Sequence, residues 1–110
     1  MDNKKDNLYY IQKIITDLSF ILNHTNGLTQ TEFEDNELLL DSVMFRLIQI
    51  SEHSDKLTNS FKSFHSEIPW YAIKGLRNRI VHEYGNVDLT VVYQTIIKDL
   101  PELLCILQKL

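Results

Sequence analysis

Apolar residues return every third or fourth position along most of this 110-residue chain, and only three glycines and two prolines interrupt the pattern. Such a chain has few turns to spend, which favours a few long helices over many short strands. Leu8, Ile11, Ile15, Leu18 and Leu22 predict a first helix from about Asn7 to His24, widened by Ile14 and Ile21 and terminated by Gly27. Residues 28 to 35 read as a short connection in which Phe33 anchors a turn to the core. A second helix, from about Asn36 to Asn59, carries the stripe Leu40, Val43, Leu47, Ile50, Ser54, Leu57 and Phe61 with a flank of Met44, Phe45 and Ile48. Two apolar faces fit either a core and a second subunit, or one fully wrapped central helix.

The segment from Ser60 to Ile68 is polar with isolated aromatics, and Pro69 is suited to the first position of a third helix reaching Glu83. Ile73, Leu76, Ile80 and Tyr84 form its expected core face, and Gly85 and Asn86 end it. Asp88 is the expected N-cap of a last helix with the stripe Leu89, Val92, Ile96, Leu100, Leu103, Leu107 and Leu110. The stripe keeps its phase across Pro101, which predicts a helix kinked or split there. The expected fold is all-α: one domain over residues 1 to 110, an up-and-down bundle of four main helices.

Composition narrows the function. With 44% hydrophobic and 24% charged residues this is an ordinary globular chain. No apolar run approaches a membrane span, and the polar start, Met1 to Asn7, lacks an apolar core behind a basic end, so a cytoplasmic protein without membrane contact is expected. The lone Cys105 falls in an apolar helical pattern and is expected as a small buried hydrophobe. A net charge of −4 argues against a broadly basic, sequence-blind nucleic-acid binder. The stretch from Lys74 to Tyr84 is a local exception, with Lys74, Arg77 and Arg79 against Glu83, and such a patch can hold a few phosphates.

The same stretch carries the chemistry. Arg77, Asn78, His82 and Tyr84 place a fixed cation, an amide, an imidazole and a phenol within about two helical turns. Arginine offers a planar fork matched to phosphate oxygens, and histidine exchanges a proton near neutral pH. On a straight helix, however, Arg77 and His82 stand about 140° apart, so one copy does not aim both at one atom. A two-fold homodimer would bring two copies of the motif face to face. From position alone, His82 reads as a surface imidazole and Tyr84 as a core aromatic, while Arg77 fits either a phosphate site or an ion pair with an acid such as Glu52. Arg79 fits an i,i+4 pair with Glu83. The pairs Glu37 with Asp41 and Glu52 with Asp55 read as a solvated helix face. His24, His53 and His65 show no zinc-like spacing, so no metal is expected, and no cofactor motif is present.

The run Ala-Ile-Lys-Gly-Leu-Arg-Asn-Arg-Ile-Val-His-Glu-Tyr, residues 72 to 84, resembles the signature of HepT-like toxins, a branch of the HEPN superfamily of helical ribonucleases. Arg77, Asn78, His82 and Tyr84 fill its four places. Ile50-Ser51-Glu52 is similar to the family's Ile-Gly-Glu, with Ser51 in place of glycine. Asp99-Leu100-Pro101-Glu102-Leu103 is similar to its C-terminal motif, while Tyr93 stands where tryptophan is usual. The resemblance implies a HEPN-like, homodimeric bundle that cuts RNA, with tRNA a plausible target, without a metal or other cofactor. Catalysis would fall to Arg77, His82 and Asn78, with Lys74 and Arg79 as candidate RNA contacts. It also implies a cognate nucleotidyltransferase antitoxin that attaches AMP to Tyr84. The alternative is a non-catalytic partner subunit of a nucleotidyltransferase.

Overall fold

The computed structural model describes residues 6–110; residues 1 to 5 of the polar start lie outside them. The described residues form seven α-helices and no strand. Helix α1 (Asn7–Thr25) starts where Asp6 accepts the N–H of Tyr9 and ends before Gly27, whose φ of 80° suits a residue without Cβ. Leu8, expected on the core face, lies in the first turn and is exposed.

The connection expected at residues 28 to 35 contains a helix of its own. In α2 (Gln30–Glu34) the Thr29 hydroxyl accepts the N–H of Glu32 while the Glu32 carboxylate accepts that of Thr29, a reciprocal cap. Phe33 is fully buried, and the neighbouring Tyr93 hydroxyl donates to the Leu28 carbonyl at 2.7 Å. Phe33 therefore anchors the segment as expected.

Helix α3 (Glu37–Asp55) stops four residues before the expected Asn59 because Thr58 starts a new helix. Its hydroxyl caps α4 (Asn59–Phe64), and Asn7 exchanges two hydrogen bonds with Thr58, tying the start of α1 to this junction. Helix α5 (Trp70–His82) follows Pro69, and α6 (Leu89–Gln94) follows Asp88, whose carboxylate accepts the N–H groups of Thr90 and Val91. Before α7 (Leu100–Gln108), residues Thr95–Asp99 widen into a π-turn in which the Leu100 N–H reaches the Thr95 carbonyl. Pro101 has no N–H to give and its ring crowds the carbonyl four residues back, so the wider turn absorbs the misfit while the apolar stripe stays in phase.

The four main helices are α1, α3, α5 and the composite α6–α7. Helix α1 packs on α3 and α7, and α5 leans on α3. Leu18, Ile21, Val43, Ile80 and Val92 are completely buried, each worth about 1.5–3 kcal/mol in water-exclusion free energy. Buried Asp17 joins α1 to α3 through Arg46 Nη1 at 2.8 Å, with the Arg46 guanidinium 4.0 Å from the Phe20 ring centre. Cys105 is exposed, not buried: it lies about 200° round the helix from Leu103, on the opposite side from the core. No described helix is long and apolar enough to cross a membrane.

Candidate functional site

Helices α3 and α5 run side by side, and three polar cross-links join them in antiparallel order. Lys74 Nζ stands 3.6 Å from Asp55 Oδ2. One turn on, Arg77 donates from Nε at 3.1 Å and from Nη2 at 2.9 Å to the same oxygen of Glu52. Beyond the end of α5, the Tyr84 hydroxyl donates to Asp41. The acids read from sequence as a solvated face are thus the partners of the motif, with the exception of Glu37. Glu52 is the acid the sequence offers as a partner for Arg77, whereas the pairings of Asp55 and Asp41 are long-range and leave no trace in local spacing.

Arg77 is two-thirds covered, and Nη1 donates to Asn78 Oδ1 at 3.1 Å. Of the five N–H groups of a guanidinium, these contacts use three. Two remain, on a cation already fixed in place, and a phosphate can take both. Asn78 is exposed beside it. His82 is the last residue of α5 and is also exposed, and the unbroken helix between them keeps it about 140° from Arg77 around the axis.

Tyr84 departs from its expected place on the core face. The helix closes at His82, with Glu83 as C-cap and Gly85 at φ 91°, so Tyr84 lies past the regular turns and is 53% exposed. Its hydroxyl pKa is raised above 10.0, first because it donates to Asp41, then by partial burial and the Asp41 charge. Arg79 points away from the ladder into a groove of about 420 Å³ between α5 and α7, and makes no ion pair with Glu83. Lys74 and Arg79 therefore serve opposite edges of α5. No group of three or more His, Cys, Asp or Glu among the described residues is arranged to hold a metal ion.

Four of the exposed apolar side chains lie near the ladder. Leu38, Asp41, Phe45 and Glu52 lie along one stripe of α3, and Leu38 and Phe45 are uncovered there. Val81, on the Arg77 side of α5, and Tyr84 extend the patch.

A family profile described as "Ribonuclease HepT-like" matches residues 14–110. The chain belongs to the HepT-like ribonuclease family. This HepT-like chain is 30% identical over 94 residues to the "Putative RNase" of Caldanaerobacter subterraneus subsp. tengcongensis, covering 86% of this chain and 84% of that one. It is 29% identical over 100 residues to the "Probable ribonuclease HepT" of Thermococcus cleftensis, covering 91% of each. A longer relative in Methanocaldococcus jannaschii, named "Gamma-glutamylcyclotransferase and putative RNase", is 28% identical over 100 residues, which are 91% of this chain and 45% of that protein. No solved structure matches.

Two features of the HepT-like chain escaped the sequence reading. Asp41 bears no motif, and only its distance from Glu52 along α3, three turns, hints that it faces the same neighbour. Asp17 hides in an apolar helix; its Oδ2 and His53 Nδ1 are buried, 3.7 Å apart, and without hydrogen-bond partners.

Proposed function

We propose that the chain is the toxin of a toxin–antitoxin pair and cuts RNA as a homodimer without a metal, with tRNA a candidate target. The observation that carries this reading is Arg77: a guanidinium immobilised by Glu52 and Asn78 that keeps two N–H groups for a phosphate. The imidazole it needs cannot come from the same face of its own helix. A two-fold axis through the patch of Leu38, Phe45 and Val81 would bury those side chains, leave Tyr84 at its open rim and set two motifs across one cleft.

In that cleft, His82 of one copy takes the proton of a ribose 2′-hydroxyl as its oxygen attacks the adjacent phosphorus. The bond from phosphorus to the 5′-oxygen breaks, and His82 of the other copy returns a proton to that leaving oxygen. Arg77 meets the charge that builds on the phosphoryl oxygens, and Asn78 steadies the guanidinium. Lys74 and Arg79 are the outlying cations for neighbouring phosphates.

Silencing is proposed to follow from transfer of AMP to Tyr84 by a cognate nucleotidyltransferase. The exposed hydroxyl is accessible, and an added phosphodiester would break its bond to Asp41 and place negative charge at the end of the ladder. Mass spectrometry of protein made with and without the transferase tests this; unmodified Tyr84 in both samples would end it. For the nuclease, purified protein is expected to cut RNA in the presence of a chelator, and folded Arg77→Ala and His82→Ala variants to lose at least about a hundredfold. Absence of cleavage by the parent, with tight binding to a nucleotidyltransferase, would instead make it a non-catalytic partner subunit.

A further inference from the structure

Tyr71 and Phe64 are the most exposed large apolar side chains among the described residues, at 92% and 82%. Their placement is enforced. The indole N–H of Trp70 reaches the carbonyls of both Lys62 and His65, at 3.1 and 3.2 Å, and so ties the end of α4 to the start of α5. Phe64 lies within the tied segment and Tyr71 follows Trp70 directly.

Beside them opens a groove of about 700 Å³, largely apolar in surface, whose polar wall groups include Asn59, Lys62, Ser63, Ser66 and Lys74. Its charged walls are the two lysines against Asp55, a net of +1 on a chain of −4. The Lys74–Asp55 pair is a solvent-facing contact at 3.6 Å, weak enough for an incoming phosphate to replace the carboxylate. Along α5, Tyr71, Lys74, Asn78 and His82 fall within an arc of about 80°, opposite the buried Ile80. From Tyr71 to His82 this stripe runs about 16 Å. The groove therefore opens onto the same helix face that ends at the imidazole.

We propose that this groove is a subsite for single-stranded RNA, an inference that rests on the ribonuclease reading and names its substrate class. Unpaired bases stack on Tyr71 and Phe64, Lys62 and Lys74 hold the backbone, and the strand continues along α5 past Asn78 to His82. Bases in a duplex are already stacked and present no free face to the two rings, so the enzyme takes RNA loops and unpaired ends.

Fluorescence anisotropy with a labelled 2′-O-methyl RNA single strand tests this, because the probe has no 2′-hydroxyl and reports binding apart from cleavage. Tyr71→Ala and Phe64→Ala, checked for folding by circular dichroism, are expected to weaken binding by about tenfold each. Tyr71→Phe, which keeps the ring, should bind as the parent does, and the matching duplex should bind more weakly than the single strand. Parent affinity in both alanine variants, equal binding of duplex and single strand, or no binding by the parent would overturn the subsite. So would dissociation of a dimer by Tyr71→Ala with the probe affinity unchanged, since a second copy would then be the occupant. A protein that binds the probe through Tyr71 yet cuts no RNA would refute the nuclease and leave the subsite standing; cleavage with Tyr71→Ala indistinguishable from the parent would do the reverse.

Discussion

Arg77 donates two hydrogen bonds to one oxygen of Glu52, so the cation of the motif on α5 is held by an acid on α3 rather than left to solvent. Because both partners are partly exposed, the pair should add little to stability, about 0.5–1 kcal/mol of coupling in a double-mutant cycle of Arg77→Ala and Glu52→Ala followed by urea unfolding. Its larger effect should be on catalysis. Glu52→Ala frees the guanidinium to sample other rotamers, and cleavage should fall by about tenfold or more with the fold intact. Unchanged cleavage in Glu52→Ala would show that Arg77 needs no such positioning.

Tyr84 should titrate above pH 10, as ultraviolet absorbance of the phenolate can follow against Tyr84→Phe. Asp41→Ala removes both the acceptor and the charge and should bring the value back toward 10. A phenol whose folded pKa lies above its unfolded value holds its proton more tightly in the fold. The stabilisation is therefore fully present below pH 10 and is lost as pH rises through the folded value. A Tyr84 titration unaffected by Asp41→Ala would contradict the hydrogen bond.

Asp17 fastens α1 to α3 from within the core. Asp17→Ala leaves Arg46 without its carboxylate and should cost about 2–3 kcal/mol in denaturant unfolding, more than loss of any ladder pair. A cost below that of Glu52→Ala would show the buried link to be dispensable.

Phe45 lies on the uncovered stripe of α3 between Asp41 and Glu52. Phe45→Glu should leave the monomer's stability within about 0.5 kcal/mol, because the site is exposed. It should convert dimers to monomers in sedimentation experiments and abolish cleavage with them. A Phe45→Glu dimer of parent affinity would move the interface elsewhere.

The helices were legible because each apolar stripe is a local signal: the α1 stripe, Pro69, Asp88 and the phase kept across Pro101 all report on neighbours within a few turns. Local signals also located the cation, amide, imidazole and phenol. What stayed hidden depends on which helices meet. Glu52 stands out in the sequence as a candidate partner of Arg77, but Asp55 and Asp41 became the partners of Lys74 and Tyr84 only when α5 settled on α3. Tyr84 followed the helical period but lies outside the helix, since closure at His82 and Gly85 ends the period before it takes effect. Cys105 was misplaced for a simpler reason: its type suggested burial, whereas its angle from Leu103 points it outward.

The account turns on Arg77 of one copy meeting His82 of another. Mixing Arg77→Ala and His82→Ala proteins, each silent alone, yields mixed dimers that hold one guanidinium and one imidazole on different chains. Measured against RNA, the isolated mixed dimer is predicted to recover cleavage above either variant alone, though well below the unmodified dimer. One guanidinium is gone, and water must stand in for one of the two imidazoles that share the proton transfers. A mixed dimer as silent as the two variants would contradict a site shared between subunits.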